Sequence, residues 1–387
     1  MPEIPPILDH RVTFDPTADF EAFLQDVPAK WVIYLLGDEQ DRPLQLLCVK
    51  NLRASLRRRL GSDEQIGPSR RVNYREVVRN IHFRRVDSGF EADWLYCEIA
   101  RELFPRTYQG MIGFRPAWFV HVNPATAFPR YIKTTDLSRP GEYIGPLEDK
   151  HAAARLIELA QDLFDLCRYY NILVEAPNGK ACAYKEMGKC PAPCDGSISI
   201  QQYHRLIEWS LRTLVDPADA IRTHRVRMQQ AAVELRFETA AKIKAYVEQL
   251  SQLGKGAFRH ARRLADFQFV SLQHGPRQGN AKLFLITPGT IQHIACVIDD
   301  STRTSELLGC ILRASSQQPG GSLDAIGTER VGIVSHHLFI AKQKHGVFLR
   351  LEDVTEPSLA RSLSELGKRP VEPESEAEGV LKELQSL

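Results

Sequence analysis

The chain is 387 residues long, 43% of them hydrophobic, with 50 Lys and Arg against 48 Asp and Glu and a net charge of +2. That is enough apolar material for two or three cored domains. The opening Met-Pro-Glu-Ile-Pro-Pro has neither a basic start nor an apolar core, and no stretch is long enough to cross a bilayer, which excludes a membrane protein and predicts a cytoplasmic one.

Residues 1–30 read as an N-terminal extension, followed by an α/β unit over 31–110. Trp31 to Leu36 and Leu44 to Val49 are short apolar runs around a turn-prone Gly-Asp-Glu-Gln-Asp-Arg-Pro, a hairpin pattern. From Asn51, Leu52, Leu56 and Leu60 recur at helical spacing while arginines fill the other face. Ile81 to Val86 predicts a third strand, and Ser88 to Phe104 a helix stopped by Pro105. Between Lys50 and Arg85 stand eleven Lys or Arg and three acids, Asp63, Glu64 and Glu76, a surplus of eight. Lys50, Arg53, Arg57, Arg70, Arg71 and Arg75 in this stretch are candidates for facing nucleic-acid phosphates, the alternative being a solvated helix face.

Trp118 to Val122 and Arg130 to Lys133 read as a strand pair, and Leu147 to Arg168 as an amphipathic helix, within a 111–200 module that holds Cys167, Cys182, Cys190 and Cys194. The last three form a C-x7-C-x3-C run. Without a secretion signal such thiols are better read as metal ligands than as disulfides, and four thiolates suit either zinc or a [4Fe–4S] cluster; scattered buried thiols are the bland alternative. Residues 201–253 turn helical. Met228, Ala231, Ala232, Leu235, Ala240, Ala241, Ile243, Val247 and Leu250 trace an apolar stripe, interrupted near Phe237-Glu238-Thr239, where Thr239 would cap a second helix. The pattern predicts an antiparallel helical hairpin over 228–250 that is either self-buried or covered by a partner. A β-rich region over 254–369 comes next, with strand-like runs at Phe267 to Leu272, Lys282 to Ile286, Ile291 to Ile298 and His337 to Leu351. The acidic 370–387 reads as a mobile tail. Asp299-Asp300 and His336-His337 read as an acidic turn and a strand-edge pair rather than a metal site. The fold class expected is α+β.

Three segments resemble one family in order and spacing: the cysteine run, Phe128-Pro-Arg130 with Gly141-Glu-Tyr-Ile-Gly-Pro146, and Met228-Gln-Gln-Ala-Ala-Val-Glu-Leu-Arg-Phe-Glu-Thr-Ala-Ala241. The chain resembles UvrC, the incision subunit of bacterial nucleotide excision repair, over residues 31 to about 250 and more weakly to about 312. The resemblance implies a [4Fe–4S] cluster on Cys167, Cys182, Cys190 and Cys194, with zinc as the alternative. It also implies a UVR hairpin that docks on a UvrB-like protein through Met228, Ala231, Ala232, Leu235, Phe237, Glu238 and Ala241. Double-stranded DNA is the other implied partner, and the 31–110 unit corresponds to the family's GIY-YIG nuclease domain.

At that nuclease site the chain departs from the family. Val32-Ile33-Tyr34 stands for Gly-Ile-Tyr, so Tyr34 survives. Gln45 stands where the second tyrosine belongs, Ser55 where the phosphate-binding arginine belongs, and Tyr96 where the metal-binding glutamate belongs. Glu98 lies roughly 200° around the helix from the right face. Base, phosphate clamp and metal ligand are each worth about two to four orders of magnitude, so little or no cleavage is expected. Mg or Mn would be needed only if cleavage remained, with Arg57, Arg58 or Arg59 replacing the clamp. Asp266-Phe-Gln-Phe-Val-Ser-Leu resembles the strands that open the family's ribonuclease-H-like domain, but the remaining residues are too few and too different to contain it. The expectation is thus a repair protein with weak or absent incision; an active single-cut endonuclease of the UvrC/Cho type and a non-enzymatic scaffold or regulator of UvrB are the rivals.

Overall fold

The computed structural model describes residues 4–61, 73–298, 304–315, 323–339 and 346–369. Within them the chain is α+β, as its patterning predicts.

The first region runs β1 (His10–Thr13), α1 (Phe20–Asp26), β2 (Val32–Gly37), β3 (Pro43–Val49), α2 (Leu52–Leu60), α3 (Tyr74–Val77), β4 (Asn80–Arg85) and α4 (Gly89–Leu103). The strands form an antiparallel sheet in the order β1-β4-β2-β3. Residues 10–13 of the stretch read as an extension therefore supply its edge strand, and α1 from the same stretch covers one face. Every residue of β2 is buried. Period-two alternation explains how: Val32, Tyr34 and Leu36 meet Leu52, Leu56 and Leu60 of α2, while Ile33 and Leu35 meet Leu95 and Ile99 of α4. Asn51 and Ser88 cap α2 and α4 through side-chain bonds to Ala54 and Glu91.

The second region comprises β5 (Trp118–Val122), β6 (Ile132–Thr134), β7 (Glu142–Leu147), α5 (Lys150–Phe164), α6 (Tyr170–Leu173), α7 (Ala183–Glu186) and α8 (Ile200–Val215). Helices α9 (Ala218–Val233) and α10 (Phe237–Leu250) come next, and β8 (Arg262–Arg263) returns to complete a sheet of order β6-β5-β7-β8. β7 arises from the Gly141-Glu-Tyr-Ile-Gly-Pro146 motif, whose glycines are structural. Gly141 has φ of +133°, and a Cβ on Gly145 would fall 2.5 Å from the Phe119 ring. The Tyr143 hydroxyl closes the motif by donating to the Arg139 carbonyl at 2.8 Å. α5 and α8 bury Leu156, Leu163, Ile207 and Leu211 on this sheet.

The third region holds β9 (Phe269–His274), β10 (Asn280–Thr287), β11 (Thr290–Ile298), α11 (Thr304–Ser315), α12 (Ala325–Phe339), β12 (Gly346–Arg350) and α13 (Glu356–Lys368), with strand order β11-β10-β9-β12. One face carries α11 and α13. The other meets α4 and α12 through Phe90, Phe284, Val331 and Val334, so α4 is shared between the first and third sheets.

Two readings need correction. His337 to Leu351 is not one strand: α12 runs to Phe339 and only Gly346–Arg350 is extended, which places His336-His337 in the last turn of a helix rather than at a strand edge. The break in the hairpin falls at Glu234–Arg236, where Leu235 is left-handed at φ of 59°; Thr239 lies inside α10 and does not cap it. Asp299-Asp300 and residues 370–387 lie outside the described residues.

Candidate functional site

β2 and α2 position the nuclease-like cluster. Tyr34 points from the middle of β2 toward the second turn of α2, where its hydroxyl and the Ser55 hydroxyl share a 2.8 Å hydrogen bond. Tyr34 is fully buried. Burial pushes its pKa up, and the nearby Arg59 charge and the Ser55 bond offset this only in part. Arg59, one helical turn beyond Ser55, donates from Nη1 to Gln45 Oε1 at 3.0 Å and lies over the Tyr74 ring. Tyr34, Ser55, Gln45 and Arg59 thus form one group. Tyr96, in α4, stands apart from it and directs its hydroxyl to the Leu46 carbonyl at 3.4 Å; burial pushes this phenol up to about 12. Glu98 faces the other way, held by Arg330 at 2.9 and 3.0 Å and by Arg101. The groups acting on Tyr34 are thus Arg59, Ser55 and Arg58, with no carboxylate among them.

Several arginines of the basic stretch have partners within the chain. Arg53 donates to the Val27 and Gln25 carbonyls, Arg57 pairs with Glu21 at 2.7 Å, and Arg75 donates to the Leu60 and Pro16 carbonyls while stacking on Phe14 and Phe20. Lys50 lies 5.5 Å from the centroid of the Trp31 ring. Arg70 and Arg71 lie outside the described residues.

The four cysteines lie in the stretch between α5 and α8. The Cys167 thiol donates to the Tyr169 carbonyl at 3.5 Å, and its interaction with Cys190 holds Cys190 down to about 7 while, with burial, pushing Cys167 up. Cys194, raised by burial, also feels the charges of Cys190 and Cys182. The loop is shaped by left-handed Ala192 and Gly196 and by a Gly179 amide bond to the Cys194 carbonyl at 2.8 Å. The donors are chemically right for zinc or an iron–sulfur group. Among the described residues, however, no three His, Cys, Asp or Glu side chains are already set to hold one ion. Beside Cys190 opens a cleft of about 520 Å³ whose far wall is His224 of α9 and Tyr246 of α10, so the cysteine loops and the hairpin base share a boundary.

At the other end of the hairpin the apolar stripe divides. Ala231 is buried and Met228 half-buried, whereas Ala232, Leu235, Phe237, Glu238 and Ala241 are exposed. Val233, at 82% exposure, adds an apolar group that the stripe reading missed. No helix of the described chain is long and apolar enough to cross a membrane.

Comparison with known proteins adds to this geometry. The family model described as "UvrC/Cho excinuclease, middle domain" matches residues 117–213, which include β5 to β7, α5, all four cysteines and most of α8. UvrABC system protein C of Caldanaerobacter subterraneus is 24% identical over 61% of this chain and 39% of its own length. Those of Clostridium perfringens and Clostridium botulinum are each 25% identical, over 70% and 76% of this chain and 44% and 48% of their own lengths. The chain thus spans less than half the length of these relatives. No solved structure matches. Residues 117–213 thus match a UvrC/Cho excinuclease middle domain, and the chain is similar to UvrABC system protein C over as much as 76% of its length.

Proposed function

We propose that this chain is a cytoplasmic protein of nucleotide excision repair that binds duplex DNA and a UvrB-like partner, and whose GIY-YIG-type site has lost most or all of its cleavage activity. The observation that carries this is the sealed Tyr34: its hydroxyl bonds to the serine that replaces the phosphate-binding arginine, and the fully buried ring has no access to a phosphodiester. Tyr96 removes the acid that would hold Mg or Mn. The test is pure protein with damaged duplex DNA, Mg²⁺ or Mn²⁺ and UvrB. No nicking is expected, and efficient 3′-side nicking abolished by Tyr34→Phe would overturn the reading in favour of an active single-cut endonuclease. Arg59, which stands beside Tyr34, is what favours that second reading, as a clamp supplied from the next helical turn.

The exposed Leu235, Phe237 and Val233 support docking of the hairpin on a UvrB-like partner, since apolar side chains of this size at a helix–helix corner are normally covered. Partner binding retained without nicking is the outcome expected of a scaffold or regulator. Cys167, Cys182, Cys190 and Cys194 would hold a [4Fe–4S] cluster, or zinc on the same donors, and its binding energy would tie α5 to the loops before α8. Iron and sulfide content of anaerobically purified protein, beside Cys190→Ala, decides between them: about four irons per chain, lost in the variant, support the cluster. Zinc supports the alternative, and no metal overturns both.

A further inference from the structure

The segment Lys255-Gly-Ala-Phe-Arg-His-Ala-Arg-Arg263, between the hairpin and the third sheet, holds four Lys or Arg, one His and no acid. Its course is fixed at both ends. Phe258 and Ala261 are buried in the core of the second region, and Arg262 pairs with Gly145 in the β7–β8 ladder. β12 ends beside it with Arg350, a residue 91 positions away in the chain, whose Nη2 reaches the Arg259 carbonyl at 3.4 Å. The Arg259 guanidinium lies 4.9 Å from the centroid of the Phe339 ring. Its Nε stands 3.2 Å from His260 Nε2, and His260 packs edge-on against the same ring at 5.1 Å. Arg262 donates to the Ala261 carbonyl at 2.8 Å.

Counter-charge is scarce here. Among the described residues neither Arg259 nor Arg262 has a carboxylate within ion-pair distance, and Arg350 has Glu352 at 3.8 Å, itself 71% exposed. The groups also act on one another: burial first, then the charges of Arg259 and Arg350, pushes His260 down to about 4. Burial followed by Arg350 lowers Arg262, against which Glu352, Asp216 and Asp266 compensate in part. Half-buried cations that carboxylates compensate only in part repel each other, and an arriving anion turns that cost into attraction.

We propose that Arg259, Arg262 and Arg350 form a phosphate-binding site for the backbone of a nucleic-acid strand at the junction of the second and third sheets. Guanidinium forks on a rigid frame suit bidentate binding of phosphate oxygens. A strand fits better than a lone phosphate because exposed Lys255 and half-buried Arg263 continue the positive surface along the segment. The inference rests on the reading that the chain binds DNA, and places a contact outside the 50–85 stretch; Arg259 also donates from Nη1 to the Gly256 carbonyl at 3.1 Å.

The test uses the full chain and a fluorescent duplex, with anisotropy titrations between 50 and 200 mM salt (roughly the range over which phosphate contacts are read) for wild type and for the triple variants Arg259→Gln/Arg262→Gln/Arg350→Gln and Arg259→Lys/Arg262→Lys/Arg350→Lys. The Gln triple is expected to bind at least about tenfold more weakly at low salt, with a log–log salt slope shallower by about 2 to 3, while the Lys triple keeps most of both. Wild-type binding that the Gln triple reproduces overturns this site and leaves DNA binding standing. No wild-type binding at any salt removes the DNA reading and the site together. Equal loss in both triples with a lowered melting temperature overturns the proposal in favour of a structural role. Binding of polyglutamate in place of the duplex, lost in the Gln triple, reassigns the site to an acidic polypeptide.

Discussion

At Tyr34 a phenol that a nuclease would present to a phosphate is instead part of the core, and its hydroxyl is bonded to a serine that is itself buried. Removing that hydroxyl should behave like the loss of an ordinary buried hydrogen bond. Tyr34→Phe is expected to lower unfolding free energy by about 1 kcal/mol in a urea melt, the cost of leaving Ser55 without its partner, and to leave any residual nicking unchanged. His260 makes a pH-dependent contribution of definite sign. Its pKa is about 4 in the fold against an ordinary 6.5. As pH falls below 6.5 the unfolded chain takes up a proton that the fold refuses, so stability falls from there to about pH 4 and this residue adds no further loss below. The ring is half-buried, so solvent screening trims the effect to about 1–2 kcal/mol. Denaturant melts across that window should show a flatter profile for His260→Gln.

Among the elements, the hairpin places an exposed apolar side chain and a left-handed backbone in the same residue. Leu235 is left-handed at φ of 59° and 72% exposed, a conformation that costs a branched side chain about 1 kcal/mol and glycine almost nothing. Leu235→Gly should therefore raise the melting temperature slightly while weakening capture by a UvrB-like partner; unchanged affinity would remove Leu235 from the docking surface. The hairpin's existence was legible in the spacing from Met228 to Leu250, but its corner was not, because no glycine marks the left-handed position. β2 and β3 were legible as short apolar runs around a turn. α12 was not, since Val331, Gly332, Ile333, Val334 and Ser335 are all buried and a helix covered on most sides shows no apolar stripe. The candidate site divides in the same way. That Ser55 faces Tyr34 follows from the helical spacing of α2 beside β2, whereas the internal partners of Arg53, Arg57 and Arg75 depend on α1 and its flanking loops folding back. The arginine junction was visible in half: an acid-free run around Arg259 is plain in the sequence, but Arg350 reaches it only through the β9–β12 pairing.

On the scale of the whole molecule, α4 joins the first region to the third through charge as well as packing. Lys282 of β10, 11% exposed, donates to both Glu91 oxygens at 2.7 and 2.8 Å and to Asp87 at 2.5 Å. Farther along α4, Arg330 holds Glu98, Glu329 meets Arg101 at 3.0 Å and also Cys97, and His337 meets Asp93 at 2.8 Å. Burial alone would lower the Lys282 pKa, but Glu91 and Asp87 outweigh it and hold it above 10.5, so this pair's contribution is complete below pH 10.5 and fades as pH rises through the folded value. Burial would raise Glu98, but Arg330 and Arg101 hold it below 4.5, so its contribution is present above pH 4.5 and fades as pH falls through the folded value. The joint is thus intact throughout the neutral range. Lys282→Met leaves two carboxylates facing an apolar group and is expected to cost about 3–5 kcal/mol, whereas Lys282→Met with Glu91→Leu should recover part of that loss, because the damage lies in the unpaired buried charge. Because Lys282 lies in the third sheet and Glu91 on the helix that also packs on the first, calorimetry should also show the single variant losing cooperativity: a transition shared by the first and third regions in the wild type separates into two. A single sharp transition in Lys282→Met would mean that the apolar contacts of Phe90 with Phe284 and Phe348 couple the regions without help from the ion pairs.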